Sequence, residues 1–191
     1  MNHNIPKIIL ASKSPRRQEL LKLMDLDFHI VLKEVDESYP EGLAPEEIAV
    51  YIARKKAEAF DEVVSNEVVL TADTIVSIDG HILGKPETPE HAIKMLKMLS
   101  GKVHQVITGV CLFYKHQYHS FFDVSDVYFR HLSDEEIRNY VNKYQPMDKA
   151  GSYGIQEWVG LTGIEKINGS YTNVVGLPTE KLYRELKSLI K

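Results

Sequence analysis

The chain has 191 residues, 43% of them hydrophobic and 26% charged, which suffices for a full core. A net charge of −4 argues against an extended basic surface that binds nucleic acid, so any basic site must be local. The single cysteine, Cys111, excludes an internal disulfide and a cysteine-rich metal site. No apolar run reaches membrane-span length, and the first four residues begin no signal peptide. We therefore expect a cytoplasmic protein with no nucleic-acid or membrane partner.

The first predicted elements are a short strand and a helix that are joined by a hydroxyl-rich loop. An apolar run begins at Ile8, Ser14 is placed to cap the helix, and Pro15 to start it. Arg16 and Arg17 then fall in the first turn, where the helix dipole disfavours each cation by roughly 0.3–1 kcal/mol. This arrangement favours a bound phosphate over a solvated basic turn. Because Arg17 opposes the dipole, its removal is expected to cost little folding free energy.

An acidic segment and a lysine supply the next candidate charges. A strand is predicted from Phe28 to Leu32, and Asp36 and Glu37 follow it. These carboxylates belong either to a solvated loop or to a site for a hard cation such as Mg²⁺. A helix is predicted from Pro45, with Lys56 in its apolar stripe. This lysine either extends its ammonium to water or points it at an internal anion.

Residues 68–78 are predicted to form the central strand of the fold. The strand turns at Asp79-Gly80, and the return strand leads to Lys85, a further cation. Asp73 lies on the polar face of the central strand together with Thr71. A carboxylate is disfavoured in a strand and is costly to bury without a partner. Asp73 is therefore the main catalytic candidate, and a structural aspartate bonded to a loop is the alternative.

The second half of the chain is predicted to alternate helices and strands. Capped helices are expected from Thr88 to Ser100, from Ser133 to about Lys143 and after Pro178. Strands are expected at residues 106–114, 118–122, 124–130, 164–167 and 171–175. The pair Asn168-Gly169 predicts a hairpin turn between the last two strands. The glycine-rich residues 147–156 predict either a loop that closes over a ligand or a surface connector.

Five motifs together resemble the Maf family of nucleoside triphosphate pyrophosphatases. They are Ser12 to Arg17, Val35 to Glu37, Ala72 to Thr74, Gly84 to Pro86 and the loop that ends at Gln156. The motifs occur in the family's order and spread over nearly the whole chain, so residues 1–191 are expected to form a single Maf-like domain. The resemblance implies an α/β fold of the Maf/ITPase-like type, with two lobes around a long, curved, mixed β-sheet and a central cleft.

The resemblance also implies an activity and assigns residues to it. The expected reaction is hydrolysis of a nucleoside triphosphate to the monophosphate and pyrophosphate with Mg²⁺ or Mn²⁺. Asp73 matches the proton acceptor, and Glu37 and Asp73 are the expected metal ligands; whether Asp73 is mainly base or ligand stays open. The positions that match substrate choice are Arg16, Thr74 and Gln156. The other matching active-site positions are Ser14, Arg17, Glu37, Lys56 and Lys85. A cytoplasmic homodimer with a house-cleaning role is also implied.

Two features bear on the finer assignment. In a regular strand Thr74 faces away from Asp73, so its implied role requires a bulge or a strand end. The Gln156 amide offers a donor and an acceptor that suit the O4 and N3–H edge of thymine or uracil. The chain therefore resembles the dTTP/UTP subgroup of the family. The alternatives are a 7-methyl-GTP pyrophosphatase and a non-catalytic nucleotide-binding regulator of septum formation, and the intact carboxylates favour an enzyme.

Overall fold

Helices and strands alternate along the chain in a computed structural model that describes residues 5–62 and 66–190. The expectation about the first four residues lies outside this range. The strands are β1 (Ile8–Leu10), β2 (Phe28–Ile30), β3 (Val68–Ile78), β4 (His81–Leu83), β5 (Val103–Tyr114), β6 (Gln117–Phe129) and β7 (Ile164–Asn168). The helices are α1 (Pro15–Leu23), α2 (Pro45–Glu58), α3 (Pro89–Leu99), α4 (Asp134–Tyr144), α5 (Trp158–Gly163), α6 (Tyr171–Val175) and α7 (Thr179–Ser188).

The strands form a seven-stranded mixed sheet. Its order is β2-β1-β3-β5-β6-β7, and β4 pairs with β3. Strand β1 runs parallel to both neighbours, with Ile8 opposite Phe28 and Val68, whereas β4 and β7 pair antiparallel. The predicted mixed α/β fold is confirmed. Within the described ranges, no helix combines the length and apolar character that a membrane crossing requires.

The first of two compact units contains Met1–Asp73, Thr108–Asp123 and Gly176–Lys191. Helix α2 lies so close to β5 that a Cβ on Gly109 would come within 2.2 Å of the Ala49 backbone. Only glycine fits this contact. Cys111 is fully buried in the adjoining cluster, and burial raises the pKa of its thiol. The cluster contains Ile9, Ala53, Ala57, Phe60, Val69, Cys111 and Phe113.

The second unit contains Thr74–Ile107 and Val124–Val175. Two of its helices begin at the caps that the sequence predicts. The Thr88 hydroxyl accepts the His91 N–H at 3.1 Å, and the Ser133 hydroxyl accepts the Glu136 N–H at 3.2 Å. The Glu136 carboxylate in turn accepts the Ser133 N–H at 2.8 Å, which completes a capping box. Helices α3 and α4 thereby bury one face each in the apolar core of this unit.

Two predicted strand boundaries are wrong. The two strands predicted at residues 118–122 and 124–130 are one continuous strand, β6 (Gln117–Phe129), because the backbone stays extended through Asp123. Residues 171–175 form helix α6 and not a strand. The Asn168-Gly169 signal is overridden by tertiary contacts: a Cβ on Gly169 would lie 2.6 Å from the Ser125 hydroxyl. The buried Asn173 amide donates to the Val106 carbonyl and to Ser125, which favours the helical turn that places it there.

The glycine-rich residues 147–156 do not form a surface connector, which was one of the two predicted alternatives. Residues 151–155 are buried, with a 3-10 turn at Ala150–Ser152. Gly151 has φ +67°, its N–H donates to the Gly84 carbonyl, and a Cβ there would meet Val76 at 2.8 Å. The glycine that suggests mobility in the sequence is therefore required by close packing.

The burial of His104 predicts that the stability of the protein depends on pH. Its ring is buried against Phe129 and Tyr153, and its Nε2 bonds the Tyr153 hydroxyl at 2.7 Å. Burial lowers the pKa of His104 to about 4. Folding favours the neutral ring, so stability is lost as the pH falls from the unfolded pKa of about 6.5 towards the folded one. Between pH 7 and pH 5 we expect a loss of about 2 kcal/mol in the free energy of unfolding.

Urea unfolding at these two pH values measures the effect of His104. In His104→Gln the loss in free energy of unfolding between pH 7 and pH 5 should be smaller than in the wild type by about 2 kcal/mol. This holds whatever the stability of the variant at neutral pH. An identical pH dependence in both proteins would assign the acid sensitivity to other groups.

Candidate active site

The N-terminal turn of α1 is built as the sequence predicts. Ser14 caps the helix by accepting the Arg17 N–H at 3.5 Å, and Pro15 occupies the first helical position. The Ser12 hydroxyl, almost fully buried, accepts the Ser14 N–H at 3.2 Å. These contacts fix the start of the helix that carries Arg16 and Arg17.

The Arg17 side chain is bound to the main chain of the first unit, which corrects the expectation that it is dispensable for stability. Its Nε donates to the Gly176 carbonyl at 2.8 Å, and its Nη1 donates to the Ala72 carbonyl at 2.8 Å. Nη1 also lies 3.3 Å from the Ser12 hydroxyl. Hydrogen bonds that involve a charged group contribute about 1.5–3 kcal/mol, more than the dipole penalty.

Electrostatic interactions link Arg17 to the other candidate residues of this unit. Burial lowers the pKa of the Arg17 guanidinium, and the charge of Arg16 acts in the same direction. The carboxylates of Asp73 and Glu37 act in the opposite direction. Because arginine stays protonated in proteins, the result is a poorly hydrated, permanent positive charge next to Asp73.

Lys56 joins the two candidate carboxylates. Its Nζ lies 2.8 Å from the Asp73 Oδ1 and 3.0 Å from the Glu37 Oε1. The Lys56 and Asp73 side chains are only 17% and 14% exposed, whereas Glu37 is 52% exposed. Of the two readings of Lys56, the structure therefore supports the one in which its ammonium points at an internal anion.

A second lysine holds the segment that carries Glu37. The Asp36 carboxylate accepts the Ser38 N–H at 3.0 Å and also bonds the Ser38 hydroxyl. Lys55 Nζ donates to Asp36 Oδ2 at 3.0 Å and to the Ser38 carbonyl at 3.1 Å. The Ser38 hydroxyl, followed by Lys55, lowers the pKa of Asp36. Consecutive lysines of α2 thus bind consecutive residues of the acidic segment.

The donor set around Lys56 fits a hard divalent cation. No group of three or more acidic, histidine or cysteine side chains suited to a metal occurs within residues 5–62 and 66–190. However, Glu37 and Asp73 direct oxygens at one ammonium, so a cation can take ligands from both. Mg²⁺ in nucleotide enzymes commonly takes one or two carboxylates and completes its shell with phosphate and water. Two carboxylates that lie close together are therefore a donor set of the kind that Mg²⁺ uses in such enzymes.

Three candidates belong to the second unit. Thr74 is half-buried in the interior of β3, so it does not lie at a strand end. Lys85 is exposed, just after β4. Gln156 is also exposed, directly after the buried residues 151–155. The structure thus groups Arg17, Glu37, Lys56 and Asp73 in the first unit, and Thr74, Lys85 and Gln156 lie in the second.

Sequence reasoning missed three groups that orient Arg17. They are the hydroxyl of Ser12 and the carbonyls of Ala72 and Gly176. Ser12 lies in a motif that already attracts notice, and a hydroxyl two residues before the cap was a usable signal. The carbonyls carry no side-chain signature, so the sequence offers no sign of them.

Comparison with known proteins identifies the family to which the chain belongs. The Maf-like protein family matches residues 7–189. A "dTTP/UTP pyrophosphatase" of Bacteroides thetaiotaomicron is 56% identical over 185 residues, which cover 96% of either chain. Proteins of the same name from Bacteroides fragilis and Flavobacterium psychrophilum are 55% and 53% identical. The match to the Bacteroides fragilis protein covers 96% of either chain. The match to the Flavobacterium psychrophilum protein covers 93% of this chain and 91% of that protein. With a family match over almost its full length, the chain belongs to the Maf-like protein family.

Proposed function

We propose that this protein is a nucleoside triphosphate pyrophosphatase that hydrolyses dTTP and UTP to the monophosphate and pyrophosphate. The observation that carries the proposal is the convergence of Asp73 and Glu37 on Lys56 beside the carbonyl-bound Arg17. Relatives with more than half of their residues identical carry the name dTTP/UTP pyrophosphatase, which supports the substrate class.

Asp73 is proposed to accept a proton from the attacking water. Water attacks the α-phosphorus, the bond from that phosphorus to the α,β-bridging oxygen breaks, and pyrophosphate leaves with the bridging oxygen. Lys56 donates to Oδ1 of Asp73 at 2.8 Å. The other carboxylate oxygen, Oδ2, is proposed to hold the water and take its proton.

The cations are proposed to neutralise the triphosphate. Arg17 is held rigidly by two carbonyls, so it meets the phosphates without reorganisation. Arg16 and Ser14 come from the same helix start, which favours anions. Lys85, an exposed residue of the second unit, is proposed to bind phosphate as the family resemblance implies.

Glu37 and Asp73 are proposed to hold a divalent cation when nucleotide is bound. Such an ion supplies charge neutralisation at the phosphate oxygens. We expect pyrophosphate release to stop in excess chelator and to return on addition of Mg²⁺ or Mn²⁺, and Glu37→Gln to raise the metal concentration at half-maximal rate by about tenfold. Full activity in excess chelator would contradict the metal requirement.

Substrate choice is proposed to depend on Gln156, with Arg16 and Thr74. A polar site rejects analogues that leave its hydrogen-bonding groups unpaired. In a pyrophosphate-release screen with purified protein, we expect kcat/KM for dTTP and UTP to exceed those for ATP, GTP and 7-methyl-GTP by about 100-fold. CTP should be intermediate, because its amino group replaces the O4 of uracil.

Gln156→Ala should reduce this preference more than it slows the best substrate. Gln105→Ala is a matched control, because Gln105 is exposed and bonds only Asp126 among the described residues. If 7-methyl-GTP proves the best substrate, the subgroup is wrong although the reaction class stands. Nucleotide binding without turnover would favour the regulator.

We also propose that the protein acts as a cytoplasmic homodimer, as the family resemblance implies. Sedimentation of purified protein at micromolar concentration tests the assembly. A monomer with full activity would contradict it.

A further inference from the structure

The turn that carries Gln156 is bound to the Tyr140 hydroxyl of α4. This oxygen accepts the Gly154 N–H at 3.0 Å and donates its own proton to the Glu157 Oε2. The Glu157 N–H closes the turn by donating to the Gly154 carbonyl at 3.0 Å. Residues 154–157 are therefore tied at both ends to one phenol, and Gln156 lies between these ends.

Buried charges reinforce the same attachment. Lys149, only 10% exposed, lies 2.9 Å from Glu157 Oε1 and 2.8 Å from Asp148 Oδ1. Burial, and then the hydrogen bond to Glu157, raises the pKa of Tyr140, so the phenol remains a donor under ordinary conditions. Each Glu157 oxygen thus has a partner, which fixes the carboxylate that holds the end of the turn.

Packing leaves this turn little room to move. A Cβ on Gly154 would lie 2.8 Å from the Glu157 carboxyl carbon, and one on Gly160 would lie 2.1 Å from the Ile155 carbonyl oxygen. Residues 151–155 are buried, and the exposed Gln156 follows them directly. The backbone before and after Gln156 is therefore held in place by packing, while Gln156 itself is exposed.

We propose that Tyr140 is a positioning residue for substrate selection, which holds the Gly154–Glu157 turn so that the Gln156 amide has one orientation towards the base. This inference rests on the proposed function and extends it to a side chain that does not touch the nucleotide. A specificity group must be held within a fraction of an ångström to discriminate between O4 and an amino group.

The test is a double-mutant cycle between Tyr140→Phe and Gln156→Ala. Tyr140→Phe removes the hydroxyl and keeps the ring that stacks on Tyr144 at 5.0 Å between centroids. We expect the ratio of kcat/KM for UTP to that for CTP to fall about tenfold in the wild-type background, and less than twofold in Gln156→Ala. An equal fall in both backgrounds would show a merely structural role and overturn the proposal.

Tyr144→Phe is the matched control, because it makes the same change one helical turn away. It should leave the UTP/CTP ratio unchanged. Should Tyr140→Phe fail to fold, Glu157→Gln replaces it in the cycle, since it removes the carboxylate charge that Tyr140 and Lys149 share. The same non-additivity with Gln156→Ala is expected, and additive effects would overturn the proposal.

Hydrogen exchange separates failure of this inference from failure of the proposed function. Exchange of the Gly154 amide should speed up about tenfold in Tyr140→Phe and stay unchanged in Tyr144→Phe. If the wild-type protein hydrolysed no nucleotide, the proposed function would fall, and exchange would still decide whether Tyr140 holds the turn. Unchanged exchange together with an unchanged UTP/CTP ratio would overturn the inference in an active enzyme.

Discussion

Asp73→Asn is expected to lower the rate of UTP hydrolysis by about 10³-fold and to leave the protein folded. Asparagine has the same shape but cannot take the proton from water at Oδ2. Lys56 keeps its contact with Glu37, so the substitution does not leave the ammonium without a carboxylate. Pyrophosphate release measures the rate, and circular dichroism with urea unfolding checks the fold.

Asp79→Asn provides a matched control for this prediction. Asp79 lies in the turn between β3 and β4, is 62% exposed and pairs with Lys102 at 2.7 Å. Its φ of +49° is a conformation that asparagine adopts readily, so the control should fold and turn over normally. Normal turnover by Asp73→Asn would remove Asp73 from the chemistry.

Arg17→Ala is expected to lose both stability and triphosphate binding. The substitution removes the donors that the Gly176 and Ala72 carbonyls use, and we expect the free energy of unfolding to fall by about 3 kcal/mol. Nucleotide affinity should fall as well, by at least about tenfold, because a fixed guanidinium is lost. Thermal unfolding without ligand and nucleotide titration measure the two effects separately.

Two further variants distinguish the roles of the Arg17 side chain. Arg17→Lys keeps the positive charge, but its ammonium lacks the planar guanidinium with which Arg17 reaches both carbonyls. The free energy of unfolding of this variant should therefore lie between those of wild type and Arg17→Ala. Lys13→Ala, an exposed change in the same loop, should alter stability by less than about 0.5 kcal/mol. An unchanged melting temperature for Arg17→Ala would mean that the carbonyl contacts contribute nothing to stability.

Local sequence signals predicted the elements that surround the candidate residues. The serine and threonine caps and the Asp79-Gly80 turn are properties of a few neighbouring residues, and the structure has each of them. The apolar stripe of α2 also left two possible directions for the Lys56 ammonium, to water or to an internal anion, and the structure pairs it with Asp73 and Glu37. These signals act within one or two turns of the backbone.

The failures share a different cause, which is contact between residues far apart in the sequence. Asn173 bonds Val106 and Ser125, and those contacts favour a helix where the Asn168-Gly169 pair predicted a hairpin. Gly151 packs on Val76, so a segment whose glycines also allowed a surface connector is buried. The partners of Arg17 are carbonyl oxygens that any sequence supplies. No local pattern carries this information.

The thiol of Cys111 in the core of the first unit can report the opening of that core. A reagent that modifies cysteine has one target in the whole chain, which is Cys111. The reagent reacts with the thiolate form, and only when the sulfur is exposed to solvent. Modification must therefore wait until this core opens, and its rate measures the free energy of that opening without any introduced label. Since Arg17, Lys56 and Asp73 belong to the same unit, a nucleotide bound by them should slow the labelling, and the protection would give its affinity even in a variant that cannot turn over.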